Sequence, residues 1–560
     1  MAFTPFNFFK ICLFLYCLIG MHIALPGPGG SGLYLAPNII GWMFICLLCI
    51  SGIWQAMRNG YIRLIKPIYY LGLALFFLSI PAFYPDSSFD ASLLRLSALV
   101  IILLFCITLL QFEWTKENKK FVLYCLFIAF FIEALIGVVQ FFVLMQFDVY
   151  VVAYTPVANR PYGSFTQPNV MASFMACLVL LSLYMNFKNS DWRFNRHFLT
   201  LSKLAIVLAS LLVVVLQSKT GYIGFLVGTL GFMALYRNKL AKHKKLIIML
   251  FAGILLGIIS ISTLKVVDRG EGVYTDKGVR TDIIFVSSQL FAENAITGVG
   301  YGNFEKAYRQ KHLELLNEHQ FLKKPLSRLG HPHNETLFWL VEAGIFSILA
   351  MLAIFYSAWI GVKHAQAKHI MALILLMFPI LFHTQTEYPF YHSIAHLLVP
   401  ILLILVWFQV TEVRIFKMNK VLGFTGAVWL IPCFIYCATT LHTMRIIGDY
   451  HRFKEPQILD SIINAHSWQD FIEVTVYNQS LQNAFKNRNS DAVERYVLWG
   501  REFVQDMPRP GLYQNMLVAL GVLEKVKPSF RAVSKENVLK EAELLYPDQD
   551  WKRFKTSKEI

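Results

Sequence analysis

The sequence predicts an all-α polytopic membrane protein: about 13 transmembrane helices, a large polar loop on the outer side and a C-terminal soluble helical domain. Three observations carry this. First, 56% of the 560 residues are hydrophobic and only 15% are charged, whereas soluble chains carry roughly a quarter charged residues. Second, the apolar residues fall into runs near the roughly 20 residues that cross a bilayer as a helix. Third, Lys and Arg alternate between loops. Loops 57–66, 112–120, 188–203, 237–245, 362–369 and 411–420 hold twenty basic residues, while loops 26–37, 84–91, 147–167, 217–219 and 384–392 hold two, Arg160 and Lys219. Cytoplasmic loops are the ones enriched in Lys and Arg. The N-terminus is therefore expected inside, with 265–335 and 441–560 outside.

The runs, in order, lie near 8–25, 38–56, 66–83, 92–111, 121–146, 168–187, 198–216, 220–236, 246–264, 336–361, 370–383, 393–410 and 421–440. No small-x-small cleavage site follows the first, so it reads as an uncleaved anchor. This gives an N-terminal transmembrane bundle at 1–264, a loop at 265–335, further transmembrane helices at 336–440 and a tail domain at 441–560. Within the tail, 491–525 alternates charged and apolar residues at helical spacing around Pro508 and Pro510. That pattern predicts a helix–turn–helix pair similar to one unit of a tetratricopeptide-like repeat.

Composition excludes several functions. The formal charge is +16, but the tail is nearly balanced, so the excess does not mark a nucleic-acid-binding domain. All nine cysteines lie in apolar runs, which leaves neither a disulfide framework nor a Cys-based zinc site.

Polar chemistry gathers in five stretches. In HPHNETLFWLVEAGIFS (331–347), His333 precedes a span, and a neutral His at a membrane edge can act as a general base. It can equally cap a helix start. If the helix is continuous, Gly344 lies on nearly the face of His333, where another helix could pack close. Segment 279–308 carries Arg280 and the glycine-rich TGVGYGNF (297–304); glycines in loops usually serve tight backbone geometry. QSKTG (217–221) presents Lys219, and ANRPYGSFTQPNVMAS (158–173) presents Arg160, Gln167 and Asn169. Cations that defy the loop bias suggest an anionic phosphate ligand, with snorkelling to headgroups the alternative. HTQTEYPFYHSIAH (383–396) places Glu387 and Tyr388 on an outer turn, and Glu133 lies inside a span, where a carboxylate needs a partner or a function.

Together these stretches resemble the O-antigen ligase/polymerase superfamily, and more closely the PglL-type protein O-oligosaccharyltransferases of Gram-negative bacteria. The superfamily pattern is His-(Asn/Ser/Gln), nine residues, Gly, two residues, then Gly/Thr/Tyr. His333-Asn334, residues 335–343 and Gly344 fit it, and Ser347 departs at the last position. Arg280 through TGVGYGNF is similar to the family's large periplasmic loop. Ser218-Lys219-Thr220-Gly221 stands where the family often has Ser-Arg-(Ser/Thr)-Gly, and Lys loses the bidentate fork. PGPGGSGLYLAPN (26–38), HTQTEYPF and the helical tail resemble the protein-glycosylating branch.

The resemblance implies a multi-pass enzyme of the bacterial inner membrane, with its active site and tail in the periplasm. It implies transfer of a glycan from undecaprenyl pyrophosphate to Ser or Thr hydroxyls of a protein such as a type IV pilin. His333 would be the base, with Arg280 beside it in catalysis, and Arg280, Arg160 and Lys219 would bind the diphosphate. Gln167, Asn169, Tyr301, Asn334, Glu387 and Tyr388 are the candidates for contacting substrate. No cofactor, metal or nucleic acid is expected; the other partner is membrane lipid. The alternatives are an O-antigen ligase or polysaccharide polymerase with a sugar acceptor, a polytopic transporter, and a metal-dependent hydrolase built on His331, His333 and Glu335. Against the transporter, no paired broken helices occur in corresponding halves. Against the hydrolase stand Pro332 and the lack of a second ligand cluster.

Overall fold

Every apolar run is helical. A computed structural model describes residues 3–26, 30–151, 153–155, 160–264, 278–323, 326, 328–409, 412–547 and 549–555. The first part of the 265–335 loop, 265–277, therefore lies outside the described residues, as do 27–29 of the PGPGG stretch and 158–159 of the Arg160 stretch. Among the described residues, ten helices are long and apolar enough to cross a membrane, and three shorter apolar ones, Lys219–Leu235, Ala367–His383 and Ile394–Trp407, cover the remaining runs. Mostly helical and dominated by such segments, the chain is a multi-pass membrane protein. Local chemistry starts several helices: Thr115 and Ser218 cap Lys116–Val139 and Lys219–Leu235, and proline occupies the first turns of Ala36–Asn59 and Pro168–Phe187.

The chain divides into two compact units. The first comprises Met1–Phe76, Ser97–Gly270 and Ala350–Ser467. Its central element is Pro168–Phe187, fully buried along its hydrophobic length and packed on Lys116–Val139, Arg196–Val215, Lys219–Leu235 and Ala367–His383. Between lipid-immersed helices, close approach of backbones replaces the hydrophobic effect as the driving force. Helix Lys219–Leu235 provides it on two faces. A Cβ at Gly221 or Gly228 would strike Ala172 or Leu180, and one at Gly224 or Gly231 would press on Pro379 or Leu375.

One departure from an all-helical reading is a two-stranded antiparallel ribbon, Tyr61–Ile65 with Val413–Lys417, pairing Tyr61 with Lys417 and Ile65 with Val413. Both strands come from Lys/Arg-rich loops and set basic residues among apolar ones, Arg63 in the first and Arg414 and Lys417 in the second. Gln111 completes the edge, accepting from Arg63 N and donating to Arg63 O, each at 3.0 Å.

The second unit comprises Phe77–Leu96, Glu271–Leu349 and Trp468–Ile560. The described part of the polar loop, from 278 on, and the tail from Trp468 are thus one body. Buried Arg309, on helix Phe304–Glu318, donates to Leu545 O at 3.1 Å and to Leu326 O at 2.7 Å, and lies over the Tyr546 ring. Arg509 pairs with Glu305 at 2.8 Å. In the tail, Ser490–Asp506 and Pro510–Val526 form the expected pair, flanked by Gln469–Lys486 and Lys535–Leu545. The last apolar helix of the first unit runs on to Phe453, beyond the 440 expected.

The run 336–361 is not one helix. It breaks into Glu335–Ala343 and Ile345–Val362 because Gly344 sits at φ +56°. A Cβ there would meet Ile296 O at 2.5 Å and Gly298 N at 2.7 Å. The expected placement of Gly344 on the helical face of His333 is therefore corrected: the glycine ends a helix and admits the 296–298 backbone. We expect Gly344→Ala to destabilise the protein by at least about 1–3 kcal/mol, the usual cost of a disfavoured backbone conformation. Gly511→Ala, where a Cβ meets open space, is the control. Equal thermal midpoints for the two purified variants would refute this account.

Candidate active site

In the first unit the polar end is built around two buried side chains of helix Lys116–Val139 and its π-helical extension Gln140–Leu144. Glu133 is fully buried, and burying a carboxylate demands partners. It accepts from His22 Nδ1 at 2.7 Å, from Ser164 N at 3.0 Å and from the Ser164 hydroxyl at 2.6 Å. His22 Nε2 lies 3.0 Å from Cys17 O, so each ring nitrogen faces an oxygen. Gly163, at φ +64°, is required beside this carboxylate, since a Cβ would collide with it. Gln140, equally buried, accepts from Tyr162 N and Gly163 N and donates to Tyr154 O and Gly163 O, all within 2.8–3.0 Å. Tyr154 donates to His22 O.

This network holds the segment carrying Arg160. Its guanidinium donates to Leu216 O at 3.0 Å, three residues before Lys219. The two basic residues that defy the loop bias are thus brought to one end of the unit. Lys219 is exposed, one residue beyond Ser218, whose hydroxyl caps its helix. Thr220 and Thr386 share a hydrogen bond of 2.9 Å, which brings the Glu387–Tyr388 turn to the same place. Glu387 is buried and Tyr388 half-buried. Asn38 donates to His392 O at 2.7 Å and His392 donates to Phe165 O at 2.8 Å. Gln167 and Asn169 are half-buried at the start of Pro168–Phe187. All these contacts join loops poor in Lys and Arg to one another. The basic loops likewise join among themselves, through the ribbon and through Lys119 to Phe408 O and Lys120 to Trp192 O.

In the second unit His333 is half-buried and lies just outside helix Glu335–Ala343, at φ +51°. That left-handed backbone is uncommon for a residue other than glycine and is the kind of strain that collects at functional sites. Its N–H donates to His331 Nδ1 at 3.1 Å, and the two rings meet edge to face at 4.5 Å. The Asn334 side chain accepts from Leu337 N at 2.9 Å, capping the helix. Arg280 is exposed on helix Gly278–Glu293, which packs on Glu335–Ala343.

Tyr301 does not line a surface, contrary to its expected role in contacting substrate. It is fully buried, and its hydroxyl donates to Leu78 O at 2.7 Å. The TGVGYGNF turn around it spends its donors internally: Val299 N on Val341 O, Gly300 N on Glu342 O and Gly302 N on Glu342 Oε1, at 2.9–3.0 Å. Glu342 in turn pairs with Arg95, whose guanidinium lies over Tyr301, Phe338 and Trp339. His22, Gln140 and Arg95 were not among the sequence candidates. Each carried the signal that singled out Glu133, a polar group inside an apolar run.

A bundle of membrane-spanning helices with Arg160, Lys219 and the buried carboxylates Glu133 and Glu387 gathered toward one end defines a multi-pass membrane protein with a polar site there. Residues 204–352 match a family model described as O-Antigen ligase, and residues 371–559 match one described as Virulence factor membrane-bound polymerase, C-terminal. Covering more than half of the chain between them, these matches place it in the O-antigen ligase/Wzy polymerase superfamily. They support a membrane enzyme that transfers a glycan, with a lipid-linked oligosaccharide as donor. No curated protein matches the chain.

The His22–Glu133 contact gives a test of the first network. Removing one partner of a buried pair typically costs about 3–5 kcal/mol. Glu133→Ala and His22→Ala should each approach that loss, and the double variant should lose less than their sum by at least about 1 kcal/mol. Unfolding of the purified variants in detergent measures this. Simple additivity would show that the contact contributes nothing.

Proposed function

We propose that the chain is a protein O-oligosaccharyltransferase: it moves a glycan from undecaprenyl pyrophosphate to a Ser or Thr hydroxyl of a protein in the periplasm, a pilin being one candidate acceptor. The observation that supports this most is the meeting of Arg160 with the Leu216–Lys219 turn, which sets the two cations of the Lys/Arg-poor loops at one end of the bundle, where a lipid-borne diphosphate would lie. In the reaction the hydroxyl oxygen bonds to the anomeric carbon as the bond from that carbon to the phosphate oxygen breaks. The departing diphosphate takes the electron pair, and the hydroxyl proton is lost to a base. His333 is assigned as that base. Arg160, Lys219 and Arg280 are assigned to the diphosphate, whose charge grows as the bond breaks. Gln167, Asn169, Asn334, Glu387 and Tyr388 are assigned to substrate contacts, and the tail helices to acceptor recruitment.

A second reading keeps the chemistry and changes the acceptor to a sugar hydroxyl. The family model matched by residues 371–559, described as that of a polymerase, favours it. Analysis of glycoproteins and of polysaccharide from cells with and without the chain separates the two. Loss of glycopeptides supports the first, and loss of polymer with glycopeptides intact replaces it by the second.

His333→Ala should abolish transfer while leaving membrane insertion and protein level unchanged, and wild-type turnover by a well-expressed variant would remove the base assignment. Arg280→Ala should be severely impaired. Arg280→Lys should recover only part of the activity, since a point charge replaces a planar fork; full recovery would mean plain charge attraction.

The recruitment role of the tail has its own test. Exchanging residues 468–560 for the tail of a related enzyme should alter acceptor preference more than donor use. A cysteine at Ser490 should react with a membrane-impermeant reagent once the outer membrane is permeabilised. Labelling only after the inner membrane is broken, or unchanged acceptor choice after the exchange, would end the recruitment idea.

A further inference from the structure

At the basic end of the first unit lies a cavity of about 350 Å³ lined by Lys66, Tyr69, Tyr70, Glu412 and Arg414. It sits where strand Tyr61–Ile65 passes into helix Lys66–Ser79, beside strand Val413–Lys417. Lys66 and Arg414 are exposed. Neither has a hydrogen bond or ion pair among the described residues; the guanidinium only faces the Tyr69 ring, 5.7 Å from its centroid. Glu412 likewise has no ion pair among the described residues, so two positive charges and one negative charge leave the lining at +1.

What lies below the cavity identifies its occupant. Tyr69, Leu73 and Phe76 are exposed and share one helical face at spacings of four and three residues. On a helix with few charges this is a lipid-facing stripe, and it descends from the cavity. The helix Ile345–Val362 packs beside Lys66–Ser79: Tyr356 meets Tyr70 edge to face at 4.6 Å, Ser357 donates to Pro67 O at 2.9 Å, and Trp359 is exposed. Tyrosine and tryptophan mark the headgroup level of a bilayer. A cationic mouth at that level above an apolar stripe matches a molecule with a phosphate at one end and hydrocarbon at the other.

We propose that this cavity binds an anionic glycerophospholipid, its phosphodiester held by Lys66 and Arg414 and its acyl chain lying along Tyr69, Leu73 and Phe76. A phosphodiester carries one negative charge, which balances the lining. The Arg414 fork can take two phosphate oxygens while Lys66 supplies a point charge, and the tyrosine hydroxyls are further donors. Inorganic phosphate offers the same headgroup chemistry without the hydrocarbon, so it would gain nothing from the stripe. This site is separate from the polar end that carries Arg160 and Lys219, and it does not depend on the acceptor.

The test uses the purified full chain in detergent and the apparent dissociation constant of dioleoylphosphatidylglycerol measured by native mass spectrometry. Lys66→Gln and Arg414→Gln should each weaken binding about fivefold, and together about thirtyfold, as expected for basic groups near an anionic headgroup. Lys116→Gln with Lys420→Gln, removing basic residues of same-end loops that do not line the cavity, should leave binding unchanged. Dioleoylphosphatidylcholine should bind more weakly than the anionic lipid, and millimolar inorganic phosphate should not displace it. Wild-type binding by the Lys66/Arg414 double variant, or an equal loss in the control pair, would overturn the site in favour of general charge attraction. Displacement by inorganic phosphate would overturn the lipid in favour of the free ion. Equal affinity for the two lipids would overturn recognition of the charge.

Discussion

A carboxylate with no exposure, Glu133, sets the terms for the polar end of the first unit. In a bilayer an unpaired charge is expensive, so the chain must deliver donors to that point or fail to bury the helix. It delivers them from two distant segments: the imidazole at the end of the first helix and the backbone and hydroxyl of Ser164. Satisfying one buried group therefore fixes where the first helix ends and where the loop before Pro168–Phe187 lies. Gln140, two turns further along, repeats the device with four bonds to the same loop. Arg160 inherits its position from both.

The second unit uses the same physics on a different segment. Glu342 accepts from the glycine-rich turn and pairs with Arg95, and so ties down the C-terminal end of the helix that begins just after His333. At the other end Asn334 caps the first turn. The helix is held at both ends, and the histidine is left in a left-handed conformation on its threshold. In each unit, then, a buried acid organises a loop, and the residues suited to chemistry stand at the edge of what it organises.

Basic residues serve different physical roles at the two ends of the first unit. In the loops where they are abundant they tie neighbouring segments together, as Lys119 does on Phe408 O and Lys120 on Trp192 O. In the loops where they are scarce, each has to be explained individually. Arg160 reaches across to the carbonyl that precedes the Lys219 turn, which gives two scarce cations one location.

The sequence by itself determined the helical class, the positions of the apolar helices, the amphipathic pair in the tail and the segments that carry polar chemistry. These are properties of local composition: a run of apolar residues must be helical in lipid because its backbone has no water to bond. Glu133 was legible as a group in need of a partner, but its partner was not, since His22 lies 111 residues away and no spacing rule links them. The helix break at Gly344 escaped for a related reason. Glycine is tolerated within apolar helices, and only the passage of the 296–298 backbone against it decides that the chain turns there. Tyr301 looked available because it stands in a polar loop, yet tertiary packing closed Arg95 and Trp339 over it. The ribbon between 61–65 and 413–417 joins strands about 350 residues apart, a pairing whose chain closure is set by the whole bundle. Local pattern therefore decided what each segment is. Long-range satisfaction of buried polar groups decided where it goes, because that requirement is met by whichever distant donor the packed bundle brings within reach.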